Sequence, residues 1–320
     1  MRVSMKLSYA DKTTKRGILR ALAQDLWRHR GLYLLLLIPV LYLLIFRYIP
    51  MYGAQIAFRD YQPARGIWGS QWVGFRYVSK FFGSYMFSRV VRNTLTLSFY
   101  TLVTFPLPLV LAILLHYIPS RRFKKTVQLV SYAPHFISTV VMCGMVLQFL
   151  DTRNGPINAF ITLFGASPIS FMAQPTYFRT IYVWSGVWQG VGFSAIIYIS
   201  ALSGVSPELH EAAIVDGATI LKRIWHIDIP GILPMVCVLL VLNCGSLLNV
   251  GFEKVLLLQN NLNLQVSEII STYVYKQGLA NALPNYSYST AIGLFVSIVN
   301  LVLLVSVNTI TKRMSGNALW

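Results

Sequence analysis

The sequence predicts an all-α integral membrane protein with six transmembrane helices. Its composition is the first indication: 55% of the 320 residues are hydrophobic and only 12% are charged, about half the charged fraction of an ordinary soluble domain. The second is a set of six apolar runs, each close to or above the roughly 20 residues that a helix needs to cross a bilayer. Each run should be helical, since an isolated strand in lipid would leave its backbone polar groups without partners.

The sequence divides into six predicted spans with their connectors, a basic arm before them and a short tail after them. The spans cover residues 32–48, 95–118, 127–150, 181–202, 232–250 and 288–310. They lie in a transmembrane domain of residues 31–314, with a basic arm of residues 1–30 before it and a short tail of residues 315–320 after it. The first run is too long for a removable signal peptide and lacks a small-residue cleavage site. We therefore expect it to remain as a membrane anchor.

The distribution of positive charge predicts the orientation of the spans. The net charge is +17, and lysines and arginines concentrate in the basic arm, after the last span and in the second connector, at Arg121, Arg122, Lys124 and Lys125. With six crossings these three regions share one side, which the positive-inside rule assigns to the cytoplasm. We therefore expect both termini in the cytoplasm. Because the charge sits at the ends of spans, it favours membrane lipid as its partner and argues against nucleic acid.

The connector at residues 51–92 is predicted to lie outside, yet it is basic. Asp60 is its one acidic residue, and its basic residues are Arg59, Arg65, Arg76, Lys80, Arg89 and Arg92. One interpretation is attraction of an acidic partner or an anionic substrate. The other, which we favour, is a set of interfacial helices whose arginines reach the lipid headgroups.

A polar segment at residues 206–234 interrupts two long apolar runs. Ser206 is a suitable cap for a helix that begins at Pro207, because a serine oxygen accepts from the unpaired N–H groups there and proline lacks one. Gly217 can take the left-handed conformation that ends such a helix. Apolar residues then recur at helical spacing, which predicts a second helix along the membrane surface. We expect Pro230 and Pro234 to stop it before the next span.

The order of residues in this segment resembles the EAA loop of binding-protein-dependent ATP-binding-cassette (ABC) importers. The matching positions are Glu211, Ala212, Ala213, Gly217 and Pro234, and the match extends to the carbohydrate-uptake branch through Asp216, Ala218, Trp225, His226 and Pro230. The resemblance implies the fold of a type I importer permease, also called the MetI-like or maltose-type fold. An amphipathic connector that contains these residues by chance is the alternative, and so many matches in order argue against it.

The resemblance also implies partners and working parts. It implies a protein of the bacterial inner membrane that pairs with a second homologous permease, docks on a cytoplasmic ATPase dimer and receives cargo from an extracytoplasmic sugar-binding protein. ATP and Mg²⁺ bind to the ATPase, so we expect no cofactor in this chain. The EAA segment becomes a coupling helix, in which Glu211 bonds to the ATPase groove, Ala212 and Ala213 permit close approach, and Asp216 and Gly217 lie at the bend.

A sugar path needs polar or aromatic groups that face the interior of the bundle, since such groups are costly against lipid. The candidates are Trp188, Gln189, Gly190 and Phe193 in the fourth span and Asn243, Ser246 and Asn249, spaced by three, in the fifth. Rings can stack on a pyranose, and amides and hydroxyls can exchange hydrogen bonds with a sugar. Packing and hydrogen bonding between helices is an equally weighted interpretation. The resemblance implies that these two stretches line the sugar site.

Several other functions lack the residues that they need. The predicted spans carry no Asp or Glu in their middle, which argues against a carrier driven by protons or sodium ions. The sequence contains neither a Gly-rich phosphate loop nor HExxH. Its cysteines, Cys143, Cys237 and Cys244, lie in predicted spans without metal-ligand spacing. We expect no catalytic residue and no metal site, and we expect His210 and His226 to be surface or partner-facing.

The hypothesis is therefore a permease subunit of an ATP-driven importer of oligosaccharides or polysaccharide fragments, without enzymatic activity of its own. An acidic, uronic-acid-containing sugar and a neutral sugar both remain open as cargo. The alternative is a stand-alone channel or an ion-coupled secondary carrier for small solutes.

Overall fold

The computed structural model describes residues 27–315 and is predominantly helical over that range. Five of its helices are long and apolar enough to cross a membrane: Arg30–Phe58, Tyr85–Tyr117, Pro175–Leu202, Ile220–Gly245 and Tyr286–Arg313. A bent pair, Arg121–Phe136 and Thr139–Phe149, supplies a sixth span when it is counted as one. On that count the predicted all-α fold with six crossings is confirmed. Most of the basic arm and the end of the tail lie outside the described residues.

The first span leads into a structured connector. Helix α1 (Arg30–Leu43) continues through a π turn (Leu44–Tyr48), helix α2 (Ile49–Met51) and a 3₁₀ turn (Tyr52–Phe58). Strands β1 (Arg59–Asp60) and β2 (Gln71–Trp72) pair antiparallel around a 3₁₀ turn (Pro63–Arg65) and helix α3 (Gly66–Gly69), and helix α4 (Arg76–Phe82) follows. Arg59 donates to the Ser70 carbonyl (3.0 Å) and lies over the Trp68 and Trp72 rings. At least this basic residue is therefore held within the protein.

The second span consists of two helical segments, and the second segment begins at a proline. Helix α5 (Tyr85–Val103) and helix α6 (Pro106–Tyr117) are separated by Thr104 and Phe105. Pro106 lacks the N–H that would continue the hydrogen-bond ladder of α5, so the ladder is interrupted there.

The third apolar run is not the straight helix predicted for residues 127–150. Helix α7 (Arg121–Tyr132) and a 3₁₀ turn (Ala133–Phe136) meet helix α8 (Thr139–Phe149) at 102°. Pro134 lies in the turn, and Ser138 caps the new helix by accepting a hydrogen bond from the Val141 N–H (3.3 Å). A proline and a helix cap decide this bend, and hydropathy carries no information about either.

The fourth span packs closely on the bent pair. After helix α9 (Pro156–Leu163), helix α10 (Pro175–Leu202) forms this span. Gly192 of α10 lies so near the main-chain carbonyl of Ser131 in α7 that a Cβ at this position would collide with it. The glycine therefore permits the backbones of α7 and α10 to touch.

The fifth span begins at Ile220, well before the predicted residue 232. Helix α11 (Pro207–Val215) is followed by helix α12 (Ile220–Arg223), a π turn (Ile224–Asp228) and helix α13 (Ile229–Gly245), and the last three are continuous. The prediction that Pro230 and Pro234 stop a separate surface helix is therefore wrong. The π turn directly before Pro230 widens the helix and accommodates the proline without ending it. Asp228 lies inside the span as a result.

The last connector is tied to the second span. Helix α14 (Phe252–Leu258), helix α15 (Leu264–Ser267), helix α16 (Ile270–Tyr275) and a π turn (Lys276–Ala280) lead to helix α17 (Tyr286–Ser315). Asn93 Nδ2 of α5 donates to the carbonyls of Gln265 and Glu268 (3.0 Å each), and the Ile270 N–H donates to Thr94 Oγ1 (2.9 Å). We call this end of the bundle the outer end, and the end with α11 the inner end.

Apolar clusters at three levels hold the described helices together. The outer cluster includes Phe81, Val90, Tyr273 and Ile292, the middle cluster includes Leu97, Phe178, Val255 and Leu258, and the inner cluster includes Ala112, Ala195, Leu202 and Ile232. These clusters join α5, α10, α13, α14 and α17 around the sites described next.

Candidate functional site

Helix α11 is a short helix with a defined start and end. Ser206 Oγ accepts a hydrogen bond from the Glu208 N–H (3.3 Å), as the predicted helix cap requires. Gly217 has a φ of +72°, which is the left-handed conformation predicted for it. The N–H groups of Gly217 and Ala218 donate to the carbonyls of Ile214 (3.0 Å) and Ala213 (2.8 Å), the pattern of a Schellman motif. Local chemistry therefore fixes both ends of α11.

The surface of α11 is open and partly apolar. Glu211, Ala212 and Asp216 are exposed, and Ala213 is half-buried. Leu209, Ile214 and Val215 are also exposed, and Val215 keeps 87% of its surface accessible. Exposed apolar side chains grouped on one short element are typical of a contact surface for another protein.

A buried carboxylate fastens α11 to the bundle. Asp228 is completely buried. Its Oδ2 accepts from the hydroxyl of Tyr117 at the end of α6 (2.6 Å), and its Oδ1 lies 3.3 Å from Nε2 of His210 in α11. The guanidinium of Arg223 lies over the Tyr117 ring, 5.6 Å from its centre. This cluster, which we call the inner joint, connects α11 with the second and fifth spans.

The inner joint corrects the expectation for one histidine. His210 was expected at a surface or against a partner, but it faces Asp228 inside the chain. His226 is exposed, with Nδ1 2.9 Å from the Lys222 carbonyl oxygen. The joint could not be recognised from the sequence, because its members are far apart along the chain and Asp228 was assigned to a connector.

A cavity of about 480 Å³ lies between the second, fourth and fifth spans. Its walls are the break between α5 and α6, the middle of α10, the end of α13 and the turn that leads into α14. Polar lining residues come from all of these elements: Ser98, Thr101, Thr104, Gln189, Ser194, Asn243, Ser246 and Asn249. The rest of the lining is mostly apolar. The cavity thus combines apolar walls with a set of polar groups that could bind the hydroxyls of a solute.

The structure brings five of the seven candidate path residues together. Gln189, Gly190, Asn243, Ser246 and Asn249 line the cavity. The amides are partly engaged, since Gln189 Nε2 donates to the Ile137 carbonyl (2.8 Å) and Asn243 Nδ2 to the Leu239 carbonyl (2.8 Å). Helix α13 ends at Gly245, so Ser246 and Asn249 lie in the following turn and not on one helical face. Contact of these residues with a sugar stays a prediction.

The two aromatic candidates lie elsewhere. Trp188 and Phe193 do not belong to the cavity lining, and they remain 46% and 42% exposed in the isolated chain. The Phe193 ring stacks on His135 with ring centres 3.8 Å apart. Neither ring faces the same space as Gln189 and Asn243.

Sequence reasoning missed Lys254 altogether. This residue is 9% exposed and lines the cavity from α14, in the connector between the fifth and sixth spans. Its Nζ donates to the Tyr182 carbonyl (2.6 Å) and lies 4.7 Å from the centre of the Tyr182 ring. Burial lowers the pKa of Lys254 to about 8. The available signal was a single lysine between Phe252 and the apolar run that follows it.

Comparison with known proteins supports the resemblance that the sequence indicates. The family model described as "Binding-protein-dependent transport system inner membrane component" matches residues 78–316. The protein LplB of Bacillus subtilis strain 168 is 42% identical over 311 residues, which cover 96% of each chain. The polygalacturonan/rhamnogalacturonan transport system permease protein YteP of the same organism is 40% identical over 294 residues, 92% of this chain and 91% of YteP.

A solved structure supports the fold. The crystal structure of a bacterial ABC transporter involved in the import of the acidic polysaccharide alginate contains a chain with 38% sequence identity and a TM-score of 0.85. The match covers 92% of this chain and 99% of that one. A second structure shows an alginate transporter in complex with a periplasmic protein that carries an alginate pentasaccharide, with 37% identity and a TM-score of 0.85. The predicted MetI-like permease fold is therefore confirmed.

The family model covers more than half of the chain, and two relatives exceed 30% identity over nearly the full length. The chain therefore belongs to the family of binding-protein-dependent transport system inner membrane components, as an integral membrane permease of a bacterial ABC importer.

Proposed function

We propose that this permease is one transmembrane subunit of an ATP-driven importer of oligosaccharides or polysaccharide fragments. It pairs with a second homologous permease in the bacterial inner membrane, with both termini in the cytoplasm. An extracytoplasmic sugar-binding protein delivers the cargo. A polygalacturonan/rhamnogalacturonan permease and an alginate importer among the similar proteins support a polysaccharide-derived cargo, and the binding-protein complex of the alginate transporter supports that partner.

The observation that carries the proposal is the attachment of α11 to the spans. The helix exposes Glu211 and a set of apolar side chains on its outside, and it is fastened through His210 to Asp228 on its inside. A partner that pushes or pulls on the exposed face therefore acts directly on the second and fifth spans. Those two spans also form walls of the cavity.

The partner that fits this surface is a cytoplasmic ATPase dimer. It binds ATP and Mg²⁺, and the permease chain contributes no catalytic group and no cofactor. Glu211 bonds to a basic or polar group of the ATPase, and Ala212 and Ala213 allow the close approach. Asp216 and Gly217 hold the bend after α11, so that motion of the helix reaches the fifth span. Closure of the ATPase dimer on ATP then moves the spans and opens the path to the other side.

Reconstitution in vesicles tests the proposal. The purified permease pair and ATPase are placed in proteoliposomes with the cognate binding protein outside, and uptake of labelled oligosaccharides is measured with and without ATP inside. We expect uptake only when ATP and the binding protein are both present. A stand-alone channel or an ion-coupled carrier gives uptake without ATP, and that result contradicts the proposal.

Two variants of one residue test the coupling helix. Glu211→Lys should abolish uptake while the protein still inserts and elutes as a single species, because it reverses the charge at the ATPase contact. Glu211→Gln keeps the size of the side chain and should retain part of the activity. Normal uptake by Glu211→Lys contradicts the coupling role of α11.

A further inference from the structure

The ammonium group of Lys254 is held in place by its own helix. Val255 and Leu258 of α14 are fully buried in the middle apolar cluster, so they fix the position of the helix against α10. Tyr182 makes two contacts with the start of this segment. Its hydroxyl accepts a hydrogen bond from the Gly251 N–H (3.1 Å), and the Lys254 ammonium lies over its ring. Lys254 therefore cannot move to the surface without unpacking α14.

Glycine opens the space around the ammonium. A Cβ at Gly186 of α10 would come within 3.0 Å of Lys254 Nζ. Gly186 and Lys254 both line the cavity. Helix α10 therefore has no side chain at the point where the ammonium lies, and the ammonium faces the cavity.

Lys254 is not paired with a carboxylate within the part of the chain that the structure describes. The buried carboxylates of that part have other partners: Asp228 pairs with His210, and Glu268 pairs with Lys276. Glu253, its neighbour in sequence, is exposed. Among the described residues that line the cavity, Lys254 is also the only charged one. A buried charge without a counterion is costly, so its retention calls for a partner that the isolated chain does not contain.

The rest of the cavity lining is suited to a sugar. Gln189, Asn243 and Asn249 supply amides, and Ser98 and Thr101 supply hydroxyls. Such groups bind sugar hydroxyls of any kind and do not select for charge. The lysine is the one group in this lining that distinguishes an acidic sugar from a neutral one, since an ammonium forms a charge-assisted hydrogen bond to a carboxylate.

We propose that Lys254 is an anion-binding subsite of the translocation path and that the cargo is an oligosaccharide that carries carboxylates, such as a uronic acid oligomer. This inference rests on the proposed function, because it requires that sugars pass through this cavity. The carboxylate of a passing sugar accepts a hydrogen bond from the Lys254 ammonium, which has further N–H donors beside the one bonded to the Tyr182 carbonyl. Lys254 thereby favours passage of acidic sugars over neutral ones.

The test compares matched pairs of sugars in the reconstituted complex. The probes are uronate trisaccharides, including trigalacturonate, and the same trisaccharides after reduction of their carboxyl groups to hydroxymethyl groups. Lys254→Met keeps the length of the side chain and removes the charge, and Lys254→Arg keeps the charge. Lys125→Met removes an exposed lysine of α7 that does not line the cavity, and it serves as the matched control.

We expect the wild-type complex to import uronate trisaccharides in preference to their reduced forms. Lys254→Met should lower uptake of the acidic sugars at least about tenfold, with little change for any reduced sugar that enters. Lys254→Arg should restore much of the acidic uptake, and Lys125→Met should behave like the wild type. The melting temperature of each complex is measured in parallel, so that misfolding is recognised.

Other outcomes separate the two proposals. Equal loss of acidic and neutral uptake in Lys254→Met assigns the lysine to packing of α14 and overturns the inference. Preference of the wild type for the reduced sugars also overturns it and leaves the importer function intact. Failure of the wild-type complex to import any sugar with ATP and binding protein present contradicts the proposed function, and the inference fails with it.

Discussion

The inner joint and the outer part of the cavity each contain a buried charge, but the groups that surround the two charges differ. Asp228 meets side chains from two other elements: the Tyr117 hydroxyl at 2.6 Å and His210 Nε2 at 3.3 Å. Lys254 meets a main-chain carbonyl and the face of an aromatic ring. The Asp228 carboxylate therefore lies among side chains of the same protein, with a hydrogen bond to one oxygen and the His210 ring within ion-pair distance of the other, whereas the Lys254 ammonium faces the cavity.

This difference separates a mechanical role from a binding role. A carboxylate shared by α6, α11 and the fifth span makes the three elements move together, because displacement of any of them strips a buried charge of its partner. An ammonium that lacks a carboxylate partner of its own can change partners as cargo passes. Each prediction below tests one side of this distinction.

The largest effect should come from removing each charge in turn. Asp228→Leu leaves the Tyr117 hydroxyl and the His210 ring without their buried partner, so it should lower the stability of the permease by about 2–3 kcal/mol. Lys254→Met replaces a buried charge that lacks a carboxylate partner by an apolar chain of similar length, so it should change stability by less than about 1 kcal/mol or raise it. Melting temperatures of the purified complexes in detergent measure both. Equal destabilisation by the two variants contradicts the distinction between a mechanical role for Asp228 and a binding role for Lys254.

A second prediction concerns the hydrogen bond within the inner joint. Tyr117→Phe deletes the hydroxyl that donates to Asp228 and should lower stability by about 1.5 kcal/mol, since hydrogen bonds to charged groups are among the stronger ones. It should also lower the sugar uptake obtained per ATP hydrolysed, because α11 is less firmly attached. Tyr198→Phe is the control for the stability measurement alone: Tyr198 is buried in the inner cluster, its hydroxyl has no hydrogen-bond partner among the described residues, and it also lines the cavity.

A double-mutant cycle completes that test. The effects of Tyr117→Phe and Asp228→Asn should not add, because both act on the same hydrogen bond. Additive effects show that the two residues act independently and that the joint does not work as a unit.

The third prediction compares two glycines, one in each region. Gly217 has a φ of +72° at the end of α11, so Gly217→Ala should lower stability by about 1 kcal/mol. Gly190 lies in the middle of α10, with no heavy atom within 4 Å of a built Cβ, so Gly190→Ala should be neutral or stabilising. Thermal melting measures the sign of the stability change in both variants. Gly217→Val should also abolish uptake. A destabilising Gly190→Ala shows that the cavity wall is packed more tightly than this geometry allows.

Local signals account for the parts that could be predicted from the sequence. The start of α11 at Pro207 and its end at Gly217 follow from a serine cap and a glycine turn, which are chemistry of neighbouring residues. The fourth span ends at Leu202, as predicted, because hydropathy changes sharply there. These features do not depend on what packs against them.

Tertiary contacts decide the parts that could not be predicted. Pro134 coincides with a sharp bend that is followed by the Ser138 helix cap, whereas Pro230 and Pro234 lie in a continuous helix that a π turn widens ahead of Pro230. The partners of Asp228 are distant in sequence, and so are those of Lys254. The sequence therefore located Asn243, Ser246 and Asn249, which line the cavity, but neither of the two buried charges.

The smallest effect should appear in the pH dependence of uptake. Burial lowers the pKa of Lys254 to about 8, in the connector between the fifth and sixth spans, so the ammonium loses its proton as the pH rises through that value. Between pH 7 and pH 8 its charged fraction falls from about nine tenths to about one half. Uronate carboxylates stay ionised throughout this range. Uptake of an acidic trisaccharide, relative to a neutral one in the same vesicles, should therefore fall about twofold. Lys254→Arg should abolish this pH dependence, because a guanidinium keeps its charge at both values. A ratio that falls equally in wild type and Lys254→Arg places the titrating group elsewhere and leaves the charge of Lys254 without a part in cargo selection.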